Sequence, residues 1–124
     1  MSTQQHDRAH ITSTACKNPE KCDKYIHDTH CKIVAQFNAE CPRKNDAVGI
    51  LSVICLSIKK LRKQVRDIRK EIPLRDSGAR DTDAYECIVD KMMTTIADLV
   101  NSELARIQTE ADTWIICYHA ATGT

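Results

Sequence analysis

Six aliphatic residues recur at helical spacing within residues 46–72, and this stripe constrains the fold more than any other feature of the sequence. The intervals between them are 4, 3, 4, 3 and 4 residues, which places all six on one side of an α-helix. Asp46 is positioned to cap this helix and Pro73 to end it. A helix with one apolar side needs neighbours that cover it, so the rest of the chain must supply them. The stripe consists of Ile54, Ile58, Leu61, Val65, Ile68 and Ile72.

A second helical period begins after the polar segment 73–81. Thr82 or Asp83 can cap this helix, and Glu86 can close a capping box on Asp83. Residues 109–112 are polar and predict a break, after which residues 114–121 start a further apolar segment. The side predicted to be buried carries Tyr85, Ile88, Met92, Ile96, Leu99, Val100, Leu104 and Ile107.

Two shorter helical segments precede the stripe, at residues 11–16 and 25–37. Asn18-Pro19 separates them and Cys41-Pro42 turns the chain after them. Glycine and proline occur only three times each, which is typical of an all-α protein. We therefore expect one helical domain at residues 9–124, with a hairpin at 9–41 and bundle helices at 46–124, after a disordered polar terminus at 1–8.

Composition excludes several classes of function. The net charge of +1 gives no overall field that would attract nucleic acid or anionic lipid. No apolar run approaches the roughly 18 residues that span a bilayer, and no apolar segment of a secretory signal follows Met1. Seven cysteines are nevertheless typical of disulfides or of structural zinc. Disulfides would require an oxidising compartment, which conflicts with the missing signal.

Cysteine and histidine residues gather in the predicted hairpin, at Cys16, Cys22, His27, His30 and Cys31. Thiolate and neutral imidazole are the ligands that tetrahedral zinc prefers, so a zinc site is one interpretation. No Cys-x2-Cys pair is present, and the adjacent His30 and Cys31 point in different directions on a helix. A disulfide between two of these cysteines, with solvated histidines and no metal, is the favoured interpretation.

The predicted long helix also carries a basic run, which could contact phosphates. Asp67 and Glu71 are interleaved with it, and no aromatic residue within it could stack on a base. A solvated helix face is therefore favoured over nucleic acid, although such a face could speed encounter with an acidic protein. The run consists of Lys59, Lys60, Arg62, Lys63, Arg66, Arg69 and Lys70.

Candidate catalytic groups are few. Asp81, Asp83 and Glu86 cluster where a helix is predicted to start, which is where carboxylates usually serve the cap and the macrodipole. His119 lies far away in the sequence, and no nucleophile stands at a recognisable spacing from a base. We expect neither catalytic residues nor a cofactor.

Four segments resemble the plant invertase and pectin methylesterase inhibitor family, which includes pollen allergens. Residues 11–18, with Cys16, are similar to the start of its N-terminal hairpin, and Cys31 follows Cys16 with fourteen residues between them. Residues 46–50 are similar to its Asp-x-x-Gly-Leu entry into the first bundle helix. Residues 84–87 place Cys87 where the family has its third cysteine. Cys22, Cys41, Cys55 and Cys117 have no counterpart in this pattern.

The resemblance implies an up-and-down four-helix bundle with an N-terminal helical hairpin and a disulfide between Cys16 and Cys31. Counted from Trp114, the fourth family cysteine, the partner of Cys87, would fall just past Thr124, and the last bundle helix would be missing from this chain. The implied activity is steric inhibition of a carbohydrate-active enzyme, either invertase or pectin methylesterase, in the cell wall or vacuole. The implied partner is thus a protein, and the residues that contact it stay unassigned. The alternative is a small helical protein that binds zinc through residues 16–31 or nucleic acid through residues 59–70.

Overall fold

The structure is a computed structural model that describes residues 10–41, 44–73 and 82–123. Four helices account for most of these residues. They are α1 (Ser13–Cys16), α2 (Pro19–Glu40), α3 (Lys44–Lys70) and α4 (Thr82–Thr122). The described segments contain no β-strand, which confirms the all-α class. The predicted polar terminus at 1–8, the turn at Pro42 and most of the predicted loop at 73–81 lie outside the described residues.

Side-chain caps mark the starts of both α1 and α2. The Thr12 hydroxyl accepts a hydrogen bond from the Ala15 backbone amide at 3.1 Å. The Asn18 side-chain oxygen accepts one from the Glu20 backbone amide at 3.0 Å. Pro19 follows Asn18 in the first turn of α2, where its missing N–H costs nothing. The break predicted at Asn18-Pro19 is therefore a turn between two helices, and α2 starts six residues earlier than the predicted segment 25–37.

Two predicted helix boundaries need correction. α3 begins at Lys44, so Asp46 lies inside its first turn and not at the position before the helix. The break predicted at residues 109–112 is wrong, because α4 runs without interruption through them for 41 residues, or about 60 Å. The buried face continues there from Ile107 through Ala111 to Ile115. Ala111 is too small to stand out as a member of an apolar stripe.

The three long helices pack in an up-down-up arrangement. Gln108 donates a hydrogen bond to Gln36 at 2.9 Å, and His119 contacts Glu40 at 2.9 Å, so α2 and α4 run in the same direction. Ile50, near the start of α3, lines a groove with Trp114 and other residues near the end of α4, so α3 runs the opposite way. The described part of the chain thus forms a three-helix bundle with a one-turn helix packed on it.

The stripe of α3 forms one wall of the core, as predicted. Ile54, Ile58, Leu61 and Val65 are buried, and Ile68 and Ile72 pack against them partly exposed. The prediction for α4 is largely confirmed, but Ile88 is exposed and the core also takes Met93, Ala97, Ala111 and Ile115. α2 contributes Cys22, Ile26, Ile33 and Phe37.

An amide side chain fastens the start of the described chain to the middle of α4. Asn101 accepts a hydrogen bond from the Ile11 amide at 3.0 Å and donates one to the Ile11 carbonyl at 2.9 Å. Ile11 itself is buried, and Lys17 forms an ion pair with Asp90 at 3.0 Å. α1 is therefore held on α4 as well as on α2.

Candidate functional site

The structure does not join Cys16 to Cys31. Cys16 is buried at the end of α1, whereas Cys31 is an exposed thiol whose sulfur lies 3.4 Å from Nε2 of His27. The reason is helical geometry. Cys22 faces the core, and Cys31 follows it by nine residues, which is two and a half turns and hence the opposite face of α2. The predicted disulfide is absent from the structure, in which Cys16 and Cys31 are both free. Burial raises the pKa of Cys16 to about 11, and the neighbouring Cys22 adds to the increase.

The Cys/His cluster does not converge on a point. Cys16 and Cys22 point inward, while His27 and Cys31 lie on the exposed side of α2. Burial lowers the pKa of His30, and the neighbouring His27 and Arg62 lower it further. Within the described segments no three Cys, His, Asp or Glu side chains come close enough to hold a metal ion. The zinc alternative gains no support from this geometry.

The basic run of α3 is divided between two sides of the helix. Lys63 forms an ion pair with Asp67 at 2.9 Å on the exposed side, as the i,i+4 spacing predicted. That contact and the cations around it lower the pKa of Asp67. Arg62 and Arg69 turn inward instead, so that Nε of Arg62 and Nη2 of Arg69 are buried without a hydrogen-bond partner. The seven cations therefore do not form one continuous face for phosphate contacts.

The candidate catalytic groups lie at opposite ends of α4. Asp83 and Glu86 are exposed in its first turns, beside the exposed Cys87, and Asp81 lies outside the described residues. His119 is 36 residues further along, about 54 Å from Asp83 at the rise of an α-helix, and contacts Glu40. These groups cannot act on one substrate. The predicted partner of Cys87 lies beyond the chain and stays a prediction.

An apolar groove of about 420 Å³ opens at the end of the bundle where α2 and α4 end and α3 begins. Its walls come from all three long helices: Phe37 from α2, Ile50 from α3, and Trp114 and Tyr118 from α4. The Trp114 side chain forms part of the rim and is 51% exposed. The thiols of Cys41 and Cys117 also line the groove.

Exposed apolar side chains are concentrated in the parts of α3 and α4 that contribute to this groove. Six large apolar side chains are exposed among the described residues, and five of them lie in residues 48–56 of α3 or 114–116 of α4. Residues 47–58 carry no charged side chain at all. A helix segment that is apolar on every side is normally covered. We call this surface, made up of the groove and the exposed Val48, Val53, Trp114 and Ile116, the apolar end. Leu56 lies on the side of α3 opposite the buried Ile54 and Ile58 and is not part of it.

A second groove lies between α2 and α4 and is polar. It has a volume of about 440 Å³ and is lined by His10, Lys32 and Asn101, among others. Near its far end Asp112 accepts hydrogen bonds from Gln108 at 2.9 Å and Gln36 at 3.3 Å. These contacts link α2 to α4 and satisfy the polar groups that line the groove there.

Comparison with known proteins identifies no relative of this chain. No family model, no curated protein and no solved structure matches it. Among the described helices, none combines the length with the apolar character needed to cross a membrane.

Proposed function

We propose that this chain is a non-catalytic protein-binding module and that the apolar end is its docking surface. The half-exposed Trp114 at the rim of the apolar groove is the observation that carries the proposal. Tryptophan is enriched among the residues that dominate binding energy, because it offers a large and rigid surface. Isolated apolar residues at a surface need no explanation, but four near one end of a small bundle, beside an apolar groove, fit a partner.

The partner that this surface fits is a protein with an apolar segment. The described residues that line the groove are uncharged, and residues 47–58 offer no charge for an ionic ligand. The resemblance described above supplies the target to test, which is a plant invertase or pectin methylesterase. Inhibition would be steric, because the end of the bundle would cover the substrate cleft of the enzyme. No covalent bond would be made or broken. Such a protein would act in the cell wall or the vacuole.

The direct test is titration of the protein against a purified plant acid invertase and a purified pectin methylesterase. We expect one of the two activities to be lost at a near-equimolar ratio. Trp114→Ala should weaken inhibition at least tenfold, the size expected when a central aromatic side chain is truncated. Ile88→Ala is the matched control, because Ile88 is 45% exposed on the same helix but far from the apolar end.

Two results would contradict the proposal in different ways. Full activity of both enzymes with a tenfold excess of the protein would remove these enzymes as targets. Inhibition that Trp114→Ala and Ile88→Ala weaken equally would retain the inhibitor but remove the apolar end as its docking surface. Circular dichroism of each variant would establish that the helical fold persists.

A further inference from the structure

The polar groove lies between two helix faces that run side by side in the same direction. The residues of each face recur at intervals of 4, 3 and 4, so they line one side of their helix. Ala105 lies within the face of α4, and its side chain ends at Cβ, so it leaves room between the helices. The faces consist of Tyr25, Thr29, Lys32 and Gln36 on α2 and of Asn101, Ala105, Gln108 and Asp112 on α4.

Two side-chain amides hold the carboxylate of Asp112 at one end of this groove. Nε2 of Gln108 donates a hydrogen bond to Oδ1 of Asp112 at 2.9 Å, and Nε2 of Gln36 donates one to the same oxygen at 3.3 Å. The other oxygen, Oδ2, accepts no hydrogen bond from the described residues, and no cation among them forms an ion pair with this carboxylate. A carboxylate oxygen that is held in place without a partner can accept a hydrogen bond from the ammonium group of a ligand.

A cation lines the same groove one turn earlier on α2. Lys32 is exposed and lies four residues before Gln36. The carboxylate one turn before Lys32 belongs to Asp28, which already forms an ion pair with Lys24 at 2.7 Å. Lys32 itself forms no ion pair in the part of the chain that the structure describes. The groove therefore presents a cation and an anion that are not paired with each other.

The register of the two helices gives the separation of these charges. Gln36 contacts both Gln108 and Asp112, so it lies level with the turn between them. Lys32 lies four residues before that level and Asp112 two residues beyond it, which places them about 9 Å apart along the helices at about 1.5 Å per residue. A ligand that contacts both needs opposite charges several ångströms apart. An α-amino acid is too short, because its ammonium and carboxylate share one carbon, whereas a linear ω-amino acid such as 6-aminohexanoate is long enough.

We propose that the polar groove is a binding site for a linear ω-amino acid, with Lys32 at its carboxylate and Oδ2 of Asp112 at its ammonium group. A charge-assisted hydrogen bond at each end supplies the specificity. Gln36 and Gln108 are positioning residues, because they hold Asp112 in place. The volume of about 440 Å³ is within the range of small-molecule sites, and the exposed Lys32 and Gln36 leave the groove open to solvent. This site shares no lining residue with the apolar groove and does not rest on the function proposed above.

Titration of the ¹⁵N-labelled full chain with 6-aminohexanoate, followed by ¹H–¹⁵N correlation spectra, tests the site. We expect saturable shifts of the side-chain amide signals of Gln36 and Gln108, with a dissociation constant on the order of 1 mM, which is ordinary for so small a ligand. Hexylamine and hexanoate each keep one of the two charges and should bind at least about tenfold more weakly, as should glycine. Equal affinity for 6-aminohexanoate and either single-charge compound would overturn the proposal, as would shifts that do not saturate or that leave both amides unmoved.

Variants that remove one charge assign each end of the ligand. Lys32→Met should weaken binding of 6-aminohexanoate about tenfold and remove its advantage over hexylamine, which has no carboxylate. Asp112→Asn should remove its advantage over hexanoate, which has no ammonium group. Lys60→Met and Glu110→Gln are the matched controls, because neither residue lines the groove, and both should leave the affinity unchanged.

Circular dichroism of each variant establishes that the helical fold persists. A folded Lys32→Met variant that still prefers 6-aminohexanoate to hexylamine would overturn the role of Lys32. In the same way, a folded Asp112→Asn variant that still prefers 6-aminohexanoate to hexanoate would overturn the role of Asp112.

Discussion

Replacement of Asn101 by alanine should loosen α1 and lower the free energy of unfolding. The substitution removes both hydrogen bonds to the Ile11 backbone, which are 3.0 and 2.9 Å long and partly buried. A net contribution of about 1 kcal/mol per bond gives a loss of about 2 kcal/mol. Alanine is the better helix former by about 0.5 kcal/mol in the middle of α4, so we expect a net loss of about 1 to 2 kcal/mol.

Urea unfolding followed by circular dichroism measures this loss. With an m-value of about 1.5 kcal/mol/M, the midpoint should fall by about 1 M. Ser102→Ala is the matched control, because the exposed Ser102 hydroxyl bonds only to the Leu99 carbonyl of its own helix. Limited trypsin digestion should also cleave Asn101→Ala faster after Lys17. If Asn101→Ala and Ser102→Ala unfold at the same urea concentration, Asn101 does not hold the N-terminal segment.

Two other predictions concern the core and pH. Leu61→Asp puts a carboxylate at a buried site and should cost more than about 4 kcal/mol, which would abolish the helical dichroism that Lys60→Asp retains. The pKa of His30 is lowered in the folded state, so below about pH 6.5 the unfolded chain binds its proton first and stability falls. In His30→Gln the urea midpoint should change less between pH 7.5 and 5 than it does in the unaltered protein. An unchanged dependence of the midpoint on pH would show that another group titrates.

Helical periodicity predicted most of the core, because a buried stripe of Ile, Leu and Val leaves a clear pattern. The pattern did not identify buried residues that are small or that stand among charged residues in the sequence. Ala111 continues the buried face of α4 but looks like part of a polar segment, and Cys22 anchors the first turns of α2 among charged neighbours. Ile88 fits the apolar period of α4 and is exposed, because the period says which side a residue is on but not how far the neighbouring helices extend.

The cysteine pairing and the apolar end depend on information that a linear pattern does not hold. The resemblance implied Cys31 as the partner of Cys16, but Cys16 is buried whereas Cys31 lies on the exposed side of α2. The apolar groove takes Phe37, Ile50 and Trp114 from three helices. These residues come together only when the helices have been placed in space, so the sequence could mark Trp114 as unusual without showing what surrounds it.

The contact between Ile11 and Asn101 joins residues that are 90 positions apart, and this has a consequence for synthesis on the ribosome. At a translation rate of about 5 to 20 residues per second, Asn101 is synthesised roughly 5 to 18 s after Ile11. During that interval α1 cannot dock on α4, and the side chains of Ile11 and Cys16, which the folded protein buries, stay in contact with solvent. The N-terminal segment can therefore join the core only after most of α4 has been synthesised.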